Sequence, residues 1–212
     1  MEFQDVVRHR RMVRNFAPDR PIPPELVERI IDNARRAPSA GNTQGWAFLV
    51  LQQTEDRDRF WDAMLPLEKR DGFAYPGLLS APLIVVPLAC KNDYIDRYAE
   101  PDKRWTDRDE ARWPTPFWLV DTAFSTMLML LTAVDNDLGA LFFGVFNVPR
   151  FRDTFGVPDA YHPLGAVAIG YPLPDRRSPS LARGRRPVDA VVHLGRFTNP
   201  RAAAPLPEPG PS

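Results

Sequence analysis

Four arginines fall within seven residues near the start of the chain, at Arg8, Arg10, Arg11 and Arg14. A guanidinium stays charged and can bind a phosphate through two parallel N–H groups, so one chemistry open to this cluster is phosphate capture. The plainer reading is a solvated basic face. A second cluster, Arg183, Arg185 and Arg186 in RGRRPV, offers the same two readings. Between the clusters lies Pro38-Ser39-Ala40-Gly41-Asn42-Thr43-Gln44-Gly45, in which Ser39, Asn42, Thr43 and Gln44 can donate and accept hydrogen bonds. That run makes either a turn that satisfies its own backbone or a polar edge for a ligand. Leu141-Phe142-Phe143-Gly144 sets a glycine after two aromatics. Such a glycine lets backbone approach a flat ring, or marks a bulge in a core strand. A ligand with a phosphate at one end and polar edges along its length would use both arginine clusters and the polar run together.

Other chemistries are disfavoured by composition. Cys90 is the single cysteine, which excludes an internal disulfide and a multi-cysteine metal site and fits a reducing compartment. His9, His162 and His193 stand far apart, so no metal site is expected. Lys plus Arg and Asp plus Glu number 27 each, and the zero net charge argues against a general nucleic-acid binder. The N-terminal MEFQDVVRHRR lacks the apolar stretch of a signal peptide, and a cytoplasmic protein is expected.

The elements that must position these groups follow from period and punctuation. Phe3, Val6 and Val7 are spaced for a short helix over 2–10. If it continued, Arg10 and Arg14 would share a face. Pro24 suits a first helical position, and Leu26, Val27, Ile30, Ile31 and Ala34 mark the buried face of a helix over 24–36. Pro38 ends that helix, and a strand over 46–52 follows the polar run. A helix over 55–64, an irregular stretch over 66–80 and a buried strand over 81–89 come next. Residues 91–115 carry many charges and the aromatics Tyr94, Tyr98, Trp105 and Trp113 without a period, and read as a long loop or lid with at most a helical turn. Residues 117–136 are the most apolar segment. Their length raises a membrane span, but Asp121 and the lack of flanking basic residues favour a buried helix. Strands over 140–146 and 164–171, a helix over 149–156, a Pro/Arg loop over 172–187 and an extended piece over 188–197 complete one α+β domain over 1–199. The proline-rich tail over 200–212 is expected to be disordered.

The run Arg10-Arg11-Met12-Val13-Arg14-Asn15-Phe16, followed by Ala37-Pro38-Ser39-Ala40-Gly41-Asn42-Thr43-Gln44 and then Trp46, resembles the FMN-dependent nitroreductase family. The likeness continues through Leu138-Gly139, Phe143-Gly144, Ile169-Gly170-Tyr171-Pro172 and Arg185-Arg186-Pro187-Val188, in the family's order, and covers about residues 5–195. It implies a nitroreductase-like α+β fold, with a central, mostly antiparallel sheet flanked by helices. It also implies a homodimer that shares its flavin site, with residues 188–197 as an arm laid on the partner. An apolar helix over 117–136, too apolar all round for a free surface helix, is consistent with a dimer.

Carried over residue by residue, the resemblance gives Arg10, Arg11 and Arg14 the FMN phosphate and nearby ribityl oxygens. Met12 lies within that motif, and Arg185 and Arg183 would close on the phosphate. Pro38, Ser39 and Ala40 would line one flavin edge, and Asn42 and Gln44 would reach the ribityl or pyrimidine side. Backbone N–H groups of Phe143 and Gly144 would face the reactive ring nitrogen. The family often has Ser where Met12 stands, and Pro where Gly45 stands. No protein acid–base pair is expected, because the cofactor carries the electrons. The implied reaction is ping-pong: NADH or NADPH reduces FMN, and a nitroaromatic, quinone or similar flat acceptor is then reduced. Tyr94, Tyr98, Trp105 and Trp113 would cover the substrate, or simply pack as a loop or dimer contact. Flavin destructases and iodotyrosine-type dehalogenases share these motifs, and Gly144-Val145-Phe146-Asn147-Val148-Pro149 leans towards them. A protein that binds flavin without turnover is a further alternative.

Overall fold

Every pairing in the five-stranded sheet is antiparallel, and the strand order follows from which runs are apolar on both faces. The strands are β1 (Trp46–Leu51), β2 (Leu83–Cys90), β3 (Gly139–Phe143), β4 (Tyr161–Pro163) and β5 (Ala166–Gly170). The order is β1-β2-β5-β3, with β4 also on β2. LIVVPLAC is buried at every position because β2 is paired on both sides and covered on both faces. β5 pairs with Leu83–Val85 and β4 with Leu88–Cys90. Pro87, which has no N–H to give, falls in the gap between them, and its carbonyl accepts Leu164 N–H at 2.9 Å. This computed structural model describes residues 1–176 and 178–198; the tail expected to be disordered lies outside them.

Side chains alternate across the sheet with period two, and each face meets its own helices. Ile84, Val86, Leu88, Leu141 and Ala168 join Phe60, Trp61 and Phe151 on one side. Those aromatics come from α3 (Thr54–Met64) and α6 (Val148–Phe155), following α1 (Phe3–His9) and α2 (Pro24–Arg35) in the chain. Leu83, Val85, Ala140, Val167 and Ile169 join Val27, Ile30 and Ala34 of α2 on the other side. Met129, Leu130 and Ala133 of the long apolar helix complete that layer. Fully burying Ile30 contributes about 1.5–3 kcal/mol. The fold is therefore a sheet between two helical layers, the expected α+β class.

Several boundaries differ from the expectation. Lys91–Ala99 is a helix, α4, so residues 91–115 do not form a single long loop; α5 (Phe117–Asp135) follows it, and Val148–Phe155 above is α6 in chain order. α1 stops at His9, and Arg10 is extended at φ −56°, ψ 118°. The next residues are drawn to the sheet instead: Val13 N–H reaches Ala140 O at 3.0 Å. β3 ends at Phe143 rather than 146, and the three-residue β4 carries no pattern long enough to read. α5 is long and apolar enough to cross a membrane, but 56% of its apolar window is buried inside the structure.

The body just described is Met1–Asp175, and a second unit begins at Arg176. Within that unit Pro179–Arg183 and Val188–Ala190 are single 3-10 turns. Residues 188–197 are thus not an extended piece: a 3-10 turn leads into bends, with Leu194 and Phe197 exposed.

Candidate functional site

The polar run after α2 folds into a tight, self-bonded loop. Ala40–Asn42 form a 3-10 turn, and Gly41, Asn42 and Gln44 take φ of 64°, 53° and 54°. Glycine enters this region freely and asparagine tolerates it, whereas glutamine there carries strain on the order of 1 kcal/mol. The loop's own side chains hold it. Ser39 Oγ accepts Gln44 N–H at 2.9 Å, Thr43 Oγ1 donates to Ala40 O at 2.6 Å, and Gln44 Nε2 donates to Asn42 Oδ1 at 3.2 Å. The self-satisfied turn and the polar edge are therefore compatible. Asn42 keeps its amide N–H groups and Gln44 its carbonyl oxygen, on residues that are both exposed.

α4 grips this loop from one helical face, through residues three and four apart. Tyr94 OH donates to Asp121 Oδ2 at 2.8 Å, and the same carboxylate oxygen accepts Ala40 N–H at 2.8 Å. Arg97 Nε donates to Gly41 O at 3.0 Å. A Cβ at position 41 would fall 2.8 Å from the Tyr98 ring. One at position 45 would fall 2.5 Å from Tyr94 Cε2, so Tyr94 occupies the space that the family's frequent proline would need. Burial raises the Tyr94 hydroxyl above its ordinary range, and the Asp121 carboxylate beside it adds to the shift.

The four aromatics of 91–115 differ in what they offer. Tyr94 is fully buried and presents no face to a ligand. Tyr98, Trp105 and Trp113 are half-buried, with ring centroids 4.5 Å apart for Tyr98–Trp113, 4.9 Å for Tyr98–Trp105 and 5.4 Å for Trp105–Trp113.

The arginine segment is built in the opposite way. Its backbone is tied down by Val13 N–H to Ala140 O at 3.0 Å and Ala17 N–H to Tyr171 O at 2.9 Å. Arg14 N–H donates to Asp175 Oδ2 at 2.7 Å. In an extended run alternate residues face opposite ways, so Arg10, Met12 and Arg14 share one side and Arg11 and Val13 the other. Arg11 lines a shallow depression with Val13, His9, Asp137 and Pro172. Met12 is half-buried against both cores. Among the described residues, neither Arg10 nor Arg11 makes an ion pair or a side-chain hydrogen bond, and no carboxylate pairs with the Arg14 guanidinium, which lies 5.2 Å from the Tyr75 ring centroid.

At the end of β3 the Phe143 ring stacks on Trp61, with centroids 5.6 Å apart and planes 9° from parallel. Its side chain belongs to the core, which leaves the backbone of Phe143 and Gly144 as what this position can offer. A Cβ at Gly144 would lie 3.1 Å from the Phe146 ring, and Phe146 is 86% exposed. In the second unit Arg183 and Arg185 are exposed, while the Arg186 guanidinium donates to Ala190 O at 2.5 Å. The structure thus joins the polar loop to α4 and Asp121, and the arginine segment to the sheet edge. No hydrogen bond or ion pair links loop and arginines among the described residues. Asp121, Arg97 and Phe146 were missed by sequence reasoning. Only the spacing of Tyr94, Arg97 and Tyr98 could have signalled the grip of α4.

The model of the nitroreductase family matches residues 7–171. The chain belongs to the nitroreductase family. A relative from Methanothermobacter thermautotrophicus, which carries the name NADH dehydrogenase/NAD(P)H nitroreductase, is 25% identical over 81% of this chain and 78% of its own. A Staphylococcus aureus protein named NADPH-dependent oxidoreductase is 23% identical over 91% of this chain and 73% of its own. Among solved structures, a nitroreductase family protein from Clostridium difficile covers 93% of this chain and 100% of its own at TM-score 0.66 and 25% identity. A nitroreductase-named protein from Exiguobacterium sibiricum, solved in complex with FMN, covers 88% of this chain and 98% of its own at TM-score 0.62 and 21% identity. For a nitroreductase-family chain the donor set is chemically apt for FMN. Among the described residues Arg10 and Arg14 are cations without a carboxylate partner, as a phosphate requires, and the exposed amides of Asn42 and Gln44 suit polar flavin edges.

Proposed function

We propose that this nitroreductase-family oxidoreductase is an FMN-dependent NAD(P)H oxidoreductase of the cytoplasm that acts by a ping-pong cycle on flat oxidised acceptors such as nitroaromatics or quinones. The observation that carries the reading is the pair Arg10 and Arg14, held by backbone on one side of an extended segment and, among the described residues, free of carboxylate partners. When bound, FMN would supply the redox chemistry, taking hydride from NADH or NADPH and passing the electrons to the acceptor. Arg10 and Arg14 hold the phosphate. Ser39, Asn42 and Gln44 orient the polar edges. Backbone N–H groups of Phe143 and Gly144 stabilise negative charge at the reactive ring nitrogen. Tyr98, Trp105 and Trp113 are the rings available to cover a flat substrate.

A homodimer with a shared flavin site belongs to the same reading. Phe117, Phe124 and Met127 leave an apolar stripe of α5 exposed, and among the described residues of one chain the loop makes no bond to Arg10, Arg11 or Arg14. Light scattering is expected to give a dimer, and Phe124→Glu a monomer with weakened FMN binding.

The deciding test is a spectrum of the purified protein. Yellow protein whose flavin bands bleach under NADPH without air supports the proposal. A colourless protein that takes up no added FMN overturns it. Bound FMN that neither NADPH nor NADH reduces, but that oxygen reoxidises after chemical reduction, points instead to the destructase or dehalogenase branch.

A further inference from the structure

Asp121 is a carboxylate only 2% exposed, near the start of an apolar helix. No Lys, Arg or His lies within ion-pair distance of it among the described residues. Burying a charge without a partner is costly, so its two hydrogen bonds must justify it. Both converge on Oδ2: Ala40 N–H at 2.8 Å and Tyr94 OH at 2.8 Å. Two donors meeting at one oxygen match its two lone pairs, so Oδ2 is fully used. The Tyr94 ring at the same time fills the space over Gly45, where a Cβ would come within 2.5 Å. Tyr94 and Asp121 therefore hold both ends of Ala40–Gly45. Between those ends lie three residues with positive φ, a backbone that relaxes unless its surroundings hold it.

We infer that Tyr94 and Asp121 are positioning residues, a buried clamp that presets the loop 40–45 so that the polar edge of Asn42 and Gln44 meets the cofactor already formed. The inference rests on the FMN reading for its purpose, though not for its geometry. Preorganising a loop removes the ordering cost that binding would otherwise bear. Tyr94→Phe deletes one hydroxyl and leaves the ring over Gly45. Asp121→Asn keeps an oxygen that can accept both donors but loses the charge.

Two measurements separate the clamp from ordinary core stability. The first is amide hydrogen exchange across 37–46 in the flavin-free protein. Exchange at Ala40 should rise about tenfold in Tyr94→Phe, the loss expected for one hydrogen bond, and less in Asp121→Asn. The second is FMN affinity from quenching of free FMN fluorescence, with the visible circular dichroism of the bound flavin. Tyr94→Phe should bind about tenfold more weakly with an altered dichroism band. Ile30→Val, which thins the core beneath α2, should lower the melting temperature and leave both readouts unchanged. Unchanged exchange at Ala40 in Tyr94→Phe would overturn the clamp, as would Ile30→Val weakening FMN equally for the same loss of stability. If the parent protein binds no FMN, the functional reading fails, and exchange at Ala40 still decides the clamp.

Discussion

The loop 38–45 and the segment 10–17 are both polar stretches between regular elements, yet they spend their polar groups in opposite ways. In the loop, side chains bond to one another and to backbone, and α4 and Asp121 hold the whole in a strained shape. In the segment, the backbone is tied to Ala140, Tyr171 and Asp175, Val13 and Phe16 are sunk in the core and Asn15 Nδ2 donates to Pro174 O at 2.7 Å, while among the described residues the Arg10 guanidinium has no partner. The first arrangement makes shape and the second makes available charge. Substitutions in the loop should therefore cost stability and ligand binding together, whereas substitution of Arg10 in the segment should cost ligand binding alone.

The largest effect is expected from the arginines. A hydrogen bond to a charged group contributes about 1.5–3 kcal/mol, so Arg10→Ala with Arg14→Ala should weaken FMN about a hundredfold or more. Arg10→Ala alone should leave the melting temperature within about 2 °C, because its side chain gives up no bond among the described residues. Arg11→Ala should change FMN affinity less than about threefold, since Arg11 faces the depression beside Val13 and Asp137. An FMN titration of the three variants checks this. Arg11→Ala as harmful as Arg10→Ala would break the alternation on which the comparison rests.

In the loop, Gly45→Ala drives a methyl into the Tyr94 ring and should cost about 1–3 kcal/mol by urea unfolding. Pairing it with Tyr94→Ala should recover part of that loss, with a coupling above about 0.5 kcal/mol, because the two groups compete for the same space. Strict additivity would mean that Tyr94 does not set the choice of glycine. A smaller effect separates shape from contact at Asn42, whose φ is 53°. Asn42→Ala should cost about 1 kcal/mol and Asn42→Gly close to nothing, because only the former puts a Cβ in the left-handed region. Both lose the same amide and should weaken FMN equally; unequal losses would mean that Asn42 acts through loop shape alone.

Legibility in the sequence follows the same division. Helices α2 and α5 and strands β1, β2 and β5 were readable because their apolar period faces a core. α4 was not, although Tyr94, Arg97 and Tyr98 stand at helical spacing, because that face packs on a polar loop and so mixes aromatics with charge. The arginines were readable as a cluster, but not the extended backbone that carries them. What ends α1 at His9 and extends Arg10–Phe16 is a set of bonds to Ala140 and Tyr171, over 120 residues away in sequence, and no local pattern announces them. Asp121 was visible as an exception in an apolar run, but its partner Ala40 is 81 positions earlier.

The smallest expected effect tests how far the grip of α4 extends outward. Arg97, which holds Gly41 O, is itself held by Asp102, with Nη1–Oδ1 and Nη2–Oδ2 distances of 2.7 and 2.8 Å. The Arg97 guanidinium pulls the Asp102 carboxyl down to about 2 from its ordinary 3.8. A depressed carboxyl stabilises the fold above its unfolded value and loses that contribution as pH falls through its folded value. The pair's contribution should therefore be whole above about pH 4 and fade towards about pH 2. Both groups are open to solvent, so it is small and weakened by salt. Asp102→Asn should melt slightly below the parent protein at pH 5, and the gap should close as the pH is lowered towards 2 and as salt is added. A gap that persists unchanged through that range would mean that Asp102 steadies the region by some route other than its charge, and that the outer end of the α4 grip is set by packing around Tyr98 rather than by Arg97.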